Sequence, residues 1–244
     1  MSEAFSFAIE DWAAWAPGIE NRAAWKDWAV QGKDIPSSEG NPDVSDLPAG
    51  LRRRLSRLGK MTLRVALDLG EIDDPRIVFS SRNGNVTEML KLLQAIGMDE
   101  PVSPTGFGMA VHNSLAGMLS IVTKNTAAQT AIAAGDESLC MGLLEALMLL
   151  HEDPSAPILL LHCDAPLPDF YQPFQDMDVP VCALALLLSA PKADEDTLSF
   201  EFSGQPSKAG KGDPLKGFLR FLATMEPEWS WTGAQGNWQC ERHA

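Results

Sequence analysis

AAQTAIAAGDES, residues 127–138, runs without a break into LCMGLLEALMLL. A short strand-like run of small residues, a Gly-Asp-Glu-Ser corner and a strongly apolar helix follow one another. Many α/β enzymes present a nucleophile on such a corner, because a helix N-terminus offers unpaired N–H groups and about half a positive charge to an anion. The middle of this run is Ile132. An aliphatic side chain cannot attack, ionise or donate, so an acyl group arriving there could only pack against it. Cys140 and Ser138 lie further along the chain and do not replace it from the same turn.

The flanking segments extend the same architecture. IVFSS (77–81) reads as a strand entering a turn at SRNGN, and VTEMLKLLQAIG as an amphipathic helix closed by Gly97. GFGMAVHNSLAGMLSIVTKN predicts one helix, with Ala110, Ser114, Ala116 and Gly117 allowing close packing and with His112 and Asn113 on it. Leu139, Leu143, Leu144, Leu147 and Leu150 cover one side of the helix after the corner and call for burial against a sheet. APILLLHCDAP and VPVCALALLLSA are continuous apolar runs, as expected of strands buried on both faces, whereas TLSFEFSG alternates like an edge strand.

Upstream, SFAIEDWAAWAPG begins as a strand and passes into a Trp-rich stretch. Trp12 and Trp15, like Trp25 and Trp28, are spaced so that each pair shares a helix face. GKDIPSSEGNPDVSDLP is a loop by composition, and the apolar positions from Leu51 to Leu69 predict a helix capped by Asp46 or Ser45. Strands separated by helices imply a layered α/β fold, helices on both faces of a mixed and mostly parallel sheet. The boundary falls near residue 204: 1–204 forms the main domain, and 205–244, opening on the loop-like QPSKAGKGDP, an extension packing on it.

Composition excludes several functions. Nineteen basic against thirty-three acidic residues give a formal charge of −14, which repels nucleic acid. No apolar run approaches the roughly 20 residues that span a bilayer, and MSEAFSFAIEDW lacks a basic leader region, so a cytoplasmic protein is expected. Cys140, Cys163, Cys182 and Cys240 have no CxxC spacing and read as buried thiols. GxSxG, Walker and HExxH motifs are missing. His151-Glu152-Asp153 and His162-Cys163-Asp164 sit at element ends, where polar residues belong, so neither a metal nor a cofactor is implied. LRRRLSRLGK gathers Arg52, Arg53, Arg54 and Arg57, either a solvated helix face or a docking patch for an acidic partner.

The segment GFGMAVHNSLAGMLSIVTKNTAAQTAIAAGDESLCMGLLEAL resembles the part of β-ketoacyl synthases that runs from an asparagine-bearing helix to the nucleophilic cysteine and its helix. FSFAIEDWAAWAPG, LPAGLRRRLSRLGKMTLRVAL and FSSRNGN extend the similarity to a divergent short family of synthase-like N-terminal domains, or chain-length factors, of aryl-polyene-type polyketide systems. The resemblance implies a half-thiolase fold, with Ile132 in the cysteine's place and Asn113 matching the helix asparagine. It also implies that Thr105 to Gly108 lie near the acyl tunnel, which makes Phe107 a gate candidate beside His112 and Asn113. The two histidines that decarboxylate the extender belong to a second half, which this chain would lack. Ala127, Ala128, Gln129, Thr130 and Ala131 would form the strand that pairs across a dimer interface.

The resemblance thus implies a non-catalytic subunit that forms a heterodimer with a complete ketosynthase, with an acyl carrier protein as an indirect partner that the Arg52–Arg57 patch would contact. Two other readings of the residues stand beside it. One is a stand-alone acyl-thioester enzyme using Cys140 or Ser138; the other is a homodimeric module that binds a hydrophobic ligand.

Overall fold

The computed structural model describes residues 4–192, 196–204 and 212–243, so 205–211 of the expected extension and both chain ends lie outside the described residues. The two continuous apolar runs are strands β4 (Ile158–Asp164) and β5 (Cys182–Ser189), at the centre of one eight-stranded sheet. Every residue of β4 is buried. With β1 (Ala4–Trp15), β2 (Arg76–Ser80), β3 (Gln129–Ile132), β6 (Thr197–Ser203), β7 (Glu228–Thr232) and β8 (Asn237–His243), the order is β3-β2-β4-β5-β1-β6-β8-β7.

The sheet is mixed, as expected, but not mostly parallel. Parallel pairing is confined to β3-β2 and β2-β4, and the other five pairings are antiparallel. Apolar runs report burial on both faces, and antiparallel strands between two helical layers meet that condition equally well. One face packs on α1 (Arg22–Gln31), α7 (Ser138–Glu152) and α8 (Pro214–Thr224), around Trp25, Val78, Leu143, Leu160, Phe218 and Trp238. The other packs on α3 (Arg57–Leu67) and α6 (Ser114–Thr123), around Met61, Leu63, Phe79, Leu115 and Leu161.

Several local expectations change. Residues 4–15 are strand throughout, so Trp12 and Trp15 face opposite sides of the sheet instead of sharing a helix face; Trp12 joins the first core and Trp15 the second. Trp25 and Trp28 do share a face of α1, their rings edge-to-face at 5.1 Å. The helix expected over 51–69 is broken into α2 (Ala49–Arg52) and α3. Ser56 starts α3 afresh by accepting from Gly59 N, and Asp46 binds Arg64 instead of capping.

The helix expected over 106–125 is likewise two helices, α5 (Pro104–Ala110) and α6. Ser103 and Pro104 nucleate the first, and extended Val111 ends it, leaving His112 and Asn113 at the junction and not on a helix. Helix α4 (Val86–Gly97) runs through Gly97, and the reversal is made by Asp99 at φ 56°. Strand β6 is interior, between β1 and β8; it alternates because Leu198 and Phe200 enter the core while Thr197, Ser199 and Glu201 stay partly exposed. After residue 204 the chain supplies α8, β7 and β8, and β8 pairs with β6 along seven residues.

Candidate functional site

The corner singled out by the sequence stands at one end of the sheet. β3 pairs with β2 from Ile77↔Gln129 to Ser80↔Ile132, and its other edge is unpaired among the described residues. Ile132 is half-buried and packs its side chain against the core on the α7 side. Its carbonyl accepts from Ser81 N at 3.2 Å and from His112 Nε2 at 3.1 Å. The His112 ring also packs on Phe79, and it fills the space over Gly84, where an added Cβ would come within 2.5 Å of Nδ1.

A 3-10 turn, Gly135–Glu137, then delivers the chain into α7. The start of that helix is occupied by the chain's own polar groups. Ser138 Oγ accepts from Ala134 N at 3.0 Å and donates to Gly135 O at 2.7 Å. The buried Glu137 carboxylate accepts from Gln235 N at 2.6 Å, in the turn between β7 and β8, and Asp136 pairs with Arg82. These groups surround the start of α7 with acidic side chains tied to other parts of the chain, and none of them caps the helix's own N–H groups. Cys140 is 1% exposed, and burial pushes its thiol well above the ordinary range. Burial likewise raises the thiols of Cys163 and Cys182, and that of Cys240 up to about 12. Neither Cys140 nor Ser138 has the accessibility or activation of a nucleophile.

A serine, a histidine and an aspartate do line up beneath the corner. Ser80 Oγ lies 2.8 Å from His162 Nδ1, and His162 Nε2 lies 3.6 Å from Asp164 Oδ2. The order resembles a hydrolase triad, but Ser80 is fully buried under α7, where an added Cβ on Gly142 would fall 2.7 Å from Ser80 Cβ. Asp164 is committed elsewhere: it accepts from Ser81 Oγ at 2.8 Å, Arg82 N at 2.9 Å and Asn83 N at 3.4 Å. Burial raises the Asp164 carboxyl to about 6 against the pull of these donors. Burial also depresses His162 to about 4, with the Asp213 charge opposing it, and raises Asp213 to about 6.

These groups and Arg82 border a cavity of about 20 Å³, room for one water molecule. With Arg82 Nη2 also 2.5 Å from Asp176, the cluster ties the surrounding turns together and leaves too little room for a substrate. Among the described residues no group of three His, Cys, Asp or Glu side chains is placed to hold a metal. The sequence reading missed Arg82, Glu137 and the Ser80–His162–Asp164 junction. The available signal was two polar clusters, SRN and HCD, at the ends of apolar strands that prove to be neighbours.

The remaining candidates are scattered around this corner. Phe107 is 60% exposed on α5, and Asn113 is exposed at the start of α6. Thr130 and Ala131 lie in β3, while Ala127 and Ala128 precede it. Arg53 and Arg54 are exposed and Arg52 is half-buried, but Arg57 donates to Ser38 O and Gly40 O and pins the loop before α2.

Residues 25–241 match the family described as "Beta-ketoacyl synthase, N-terminal domain". A chain of the structure "Ketosynthase (ApeO) in Complex with its Chain Length Factor (ApeC) from Xenorhabdus doucetiae" is 30% identical with a TM-score of 0.86, over 97% of this chain and 99% of that one. "The ishigamide ketosynthase/chain length factor" shares the fold at 17% identity and TM-score 0.63, over 82% of this chain and 67% of that one. A type II polyketide synthase assembly, AntDE:AntF, shares it at 13% identity and TM-score 0.69, over 98% and 99%. No curated protein matches the sequence. No helix among the described residues is long and apolar enough to cross a membrane.

Proposed function

The chain belongs to the β-ketoacyl synthase N-terminal domain family, and from that premise we propose that it is a non-catalytic subunit of the chain-length-factor kind. It pairs with a complete ketosynthase and forms part of the wall of the acyl tunnel in a type II polyketide system of the aryl-polyene type. The observation that carries this reading is Ile132. An aliphatic residue stands at the end of β3, and the nearest hydroxyl and thiol on the following helix, Ser138 and Cys140, are buried.

Three further observations support it. The four histidines of the sequence occupy separate environments: His112 binds Ile132 O, His162 binds Ser80, His243 binds Ser199 and His151 packs near Phe5. The two nearest the corner are engaged, His112 with a backbone carbonyl and His162, buried, with Ser80, which leaves no free pair to decarboxylate an extender unit. The unpaired edge of β3 is a template for another chain, as sheet edges generally are. A chain 30% identical to this one occurs in a ketosynthase–chain length factor complex.

In this role Phe107, His112 and Asn113 would bear on tunnel length, and the exposed Arg53 and Arg54, with half-buried Arg52, would give an acidic carrier protein a secondary contact. Co-expression with a complete ketosynthase from the same source tests the proposal. A stable one-to-one complex on native mass spectrometry is expected, with no covalent adduct on this subunit after exposure to acyl thioesters. A monomer indifferent to the ketosynthase, or an acylated Cys140 or Ser138, would overturn it.

A further inference from the structure

A pair of acids joins the C-terminal elements to the end of β4. Asp213 starts α8 by accepting from Leu215 N at 2.8 Å, and it borders the same cavity of about 20 Å³ as Asp164 and His162. Two carboxyl groups from different elements therefore face one space with room for about one water molecule. Among the described residues the nearby cations are engaged elsewhere. The Arg82 guanidinium reaches Asp176 and Asp136, which also borders the cavity, and gives Asp164 only its backbone N–H. Lys216, in the first turn of α8, pairs with Asp34 at 3.0 Å. His112 bonds to Ile132 O, while His162 bonds to Ser80 and is kept neutral by burial down to about 4. Glu137 is turned to Gln235 N, and burial keeps the thiols of Cys140 and Cys182 protonated.

We propose that Asp164 and Asp213 act as one proton-binding latch between β4 and the start of α8, closed while a proton is held between them and loosened once both are ionised. Like charges in one closed site ionise in turn, the second against the first. Burial raises both carboxyls to about 6, and at Asp213 the Asp164 charge adds to it. When the second proton leaves for solvent, Asp164 stays in place, because Ser81 Oγ, Arg82 N and Asn83 N hold it from the turn after β2. Asp213 keeps its bond to Leu215 N by moving with α8, and its charge suits the positive end of that helix. The repulsion therefore falls on the joint between the two elements. Both folded values lie above the ordinary 3.8, so the grip is complete below about pH 4 and is lost as the pH rises through about 6. His162 works in the opposite sense, favouring an open cavity below its ordinary 6.5. The latch goes beyond the function proposed above and does not rest on it.

The test uses the full chain with carbon-13-labelled carboxyl groups, titrated by NMR between about pH 4 and about pH 8. The Asp164 and Asp213 signals of the wild type should respond at the same two midpoints, as coupled sites do; two independent single-step curves would overturn the latch. Asp213→Asn keeps an equally good helix cap that cannot ionise, and in it the Asp164 midpoint should fall by about one unit. A midpoint that does not move would show the two carboxyls to be uncoupled. Hydrogen exchange reads the joint itself. Above about pH 7 the amides in the first two turns of α8 should exchange at least about tenfold more slowly in Asp213→Asn than in the wild type, and the difference should close toward about pH 5. His162 is common to both proteins and cancels in that ratio. A ratio that does not change with pH would sink the proposal. If Asp213→Asn fails to fold, the two midpoints of the wild type decide the question alone.

Discussion

Gly142 lies on the face of α7 that meets the sheet beneath the corner, and replacing it with alanine probes how rigidly that corner is supported. The new methyl would lie 2.7 Å from Ser80 Cβ, 2.8 Å from Ser80 Oγ and 3.3 Å from Leu160 Cδ1. Carbon atoms pack comfortably at about 3.5–4.0 Å, so helix and sheet must separate by nearly 1 Å. Ser80 cannot yield: its strand is paired on both sides, and its hydroxyl is bound to His162. Overpacking costs about 1–3 kcal/mol, and loss of the Ser80–His162 bond about 1 more. Gly→Ala inside a helix returns about 0.5–1 kcal/mol. The net loss is about 1–3 kcal/mol, readable as a lower midpoint in guanidinium unfolding at unchanged slope. Gly117→Ala supplies the contrast, since its nearest neighbour would be Gln129 Nε2 at 3.8 Å, and it should be neutral or stabilising. A Gly142→Ala protein as stable as the wild type would refute the packing argument.

Asp164 retains a proton to about pH 6 in the folded chain, against an ordinary value of 3.8, so its contribution favours folding in acid and is lost as pH rises from about 4 through 6. His162, held to about 4 against an ordinary 6.5, acts in the opposite sense, its contribution being complete above 6.5 and lost as pH falls toward 4. Asp164→Asn removes the first effect, and unfolding stability measured between pH 4 and 6.5 should rise more steeply with pH than in the wild type; an unchanged slope would contradict the buried-carboxyl argument. Ile132→Cys should place a thiol that iodoacetamide labels at residue 132 while the isolated subunit still makes no β-ketoacyl product, and turnover by this variant alone would contradict the non-catalytic reading. Phe107→Ala should lengthen the products of the ketosynthase complex, and an unaltered product profile by mass spectrometry would remove Phe107 from the gate.

The buried centre of the fold was legible because apolarity without alternation has few explanations: β4 and β5 lie where their sequences place them. Strand direction was not legible, since β5 is as apolar as β4 and runs antiparallel to it. The helices that broke in two, at Ser56 and at Val111, carry unbroken apolar periodicity; what splits them is local competition from a serine cap and an extended valine. Trp12 and Trp15 misled because a spacing of three has one meaning on a helix and the opposite one on a strand. At the site, the short strand ending at Ile132 and the helix after the Gly-Asp-Glu-Ser corner were legible from the small-residue run and the leucine stripe. The grip of Asp164 on the SRN turn depends on β2 and β4 being neighbours, and nothing local in either segment encodes that pairing.

The end of β3 is held in a way that does not depend on the side chain it carries. The contacts that hold the end of β3 in place, from Ser81 N and His112, go to the backbone carbonyl of Ile132 and are indifferent to the side chain. An isoleucine in that position adds apolar surface to the core that a small polarisable group would not. Glu137 and Ser138 then use the helix terminus as anchor points, one for the β7–β8 turn and one for the approach to α7. β3 is only four residues long, short enough to limit unwanted pairing yet sufficient to set the register of an intended one. In the function proposed above, this rigidity would fix where a partner's acyl chain meets resistance.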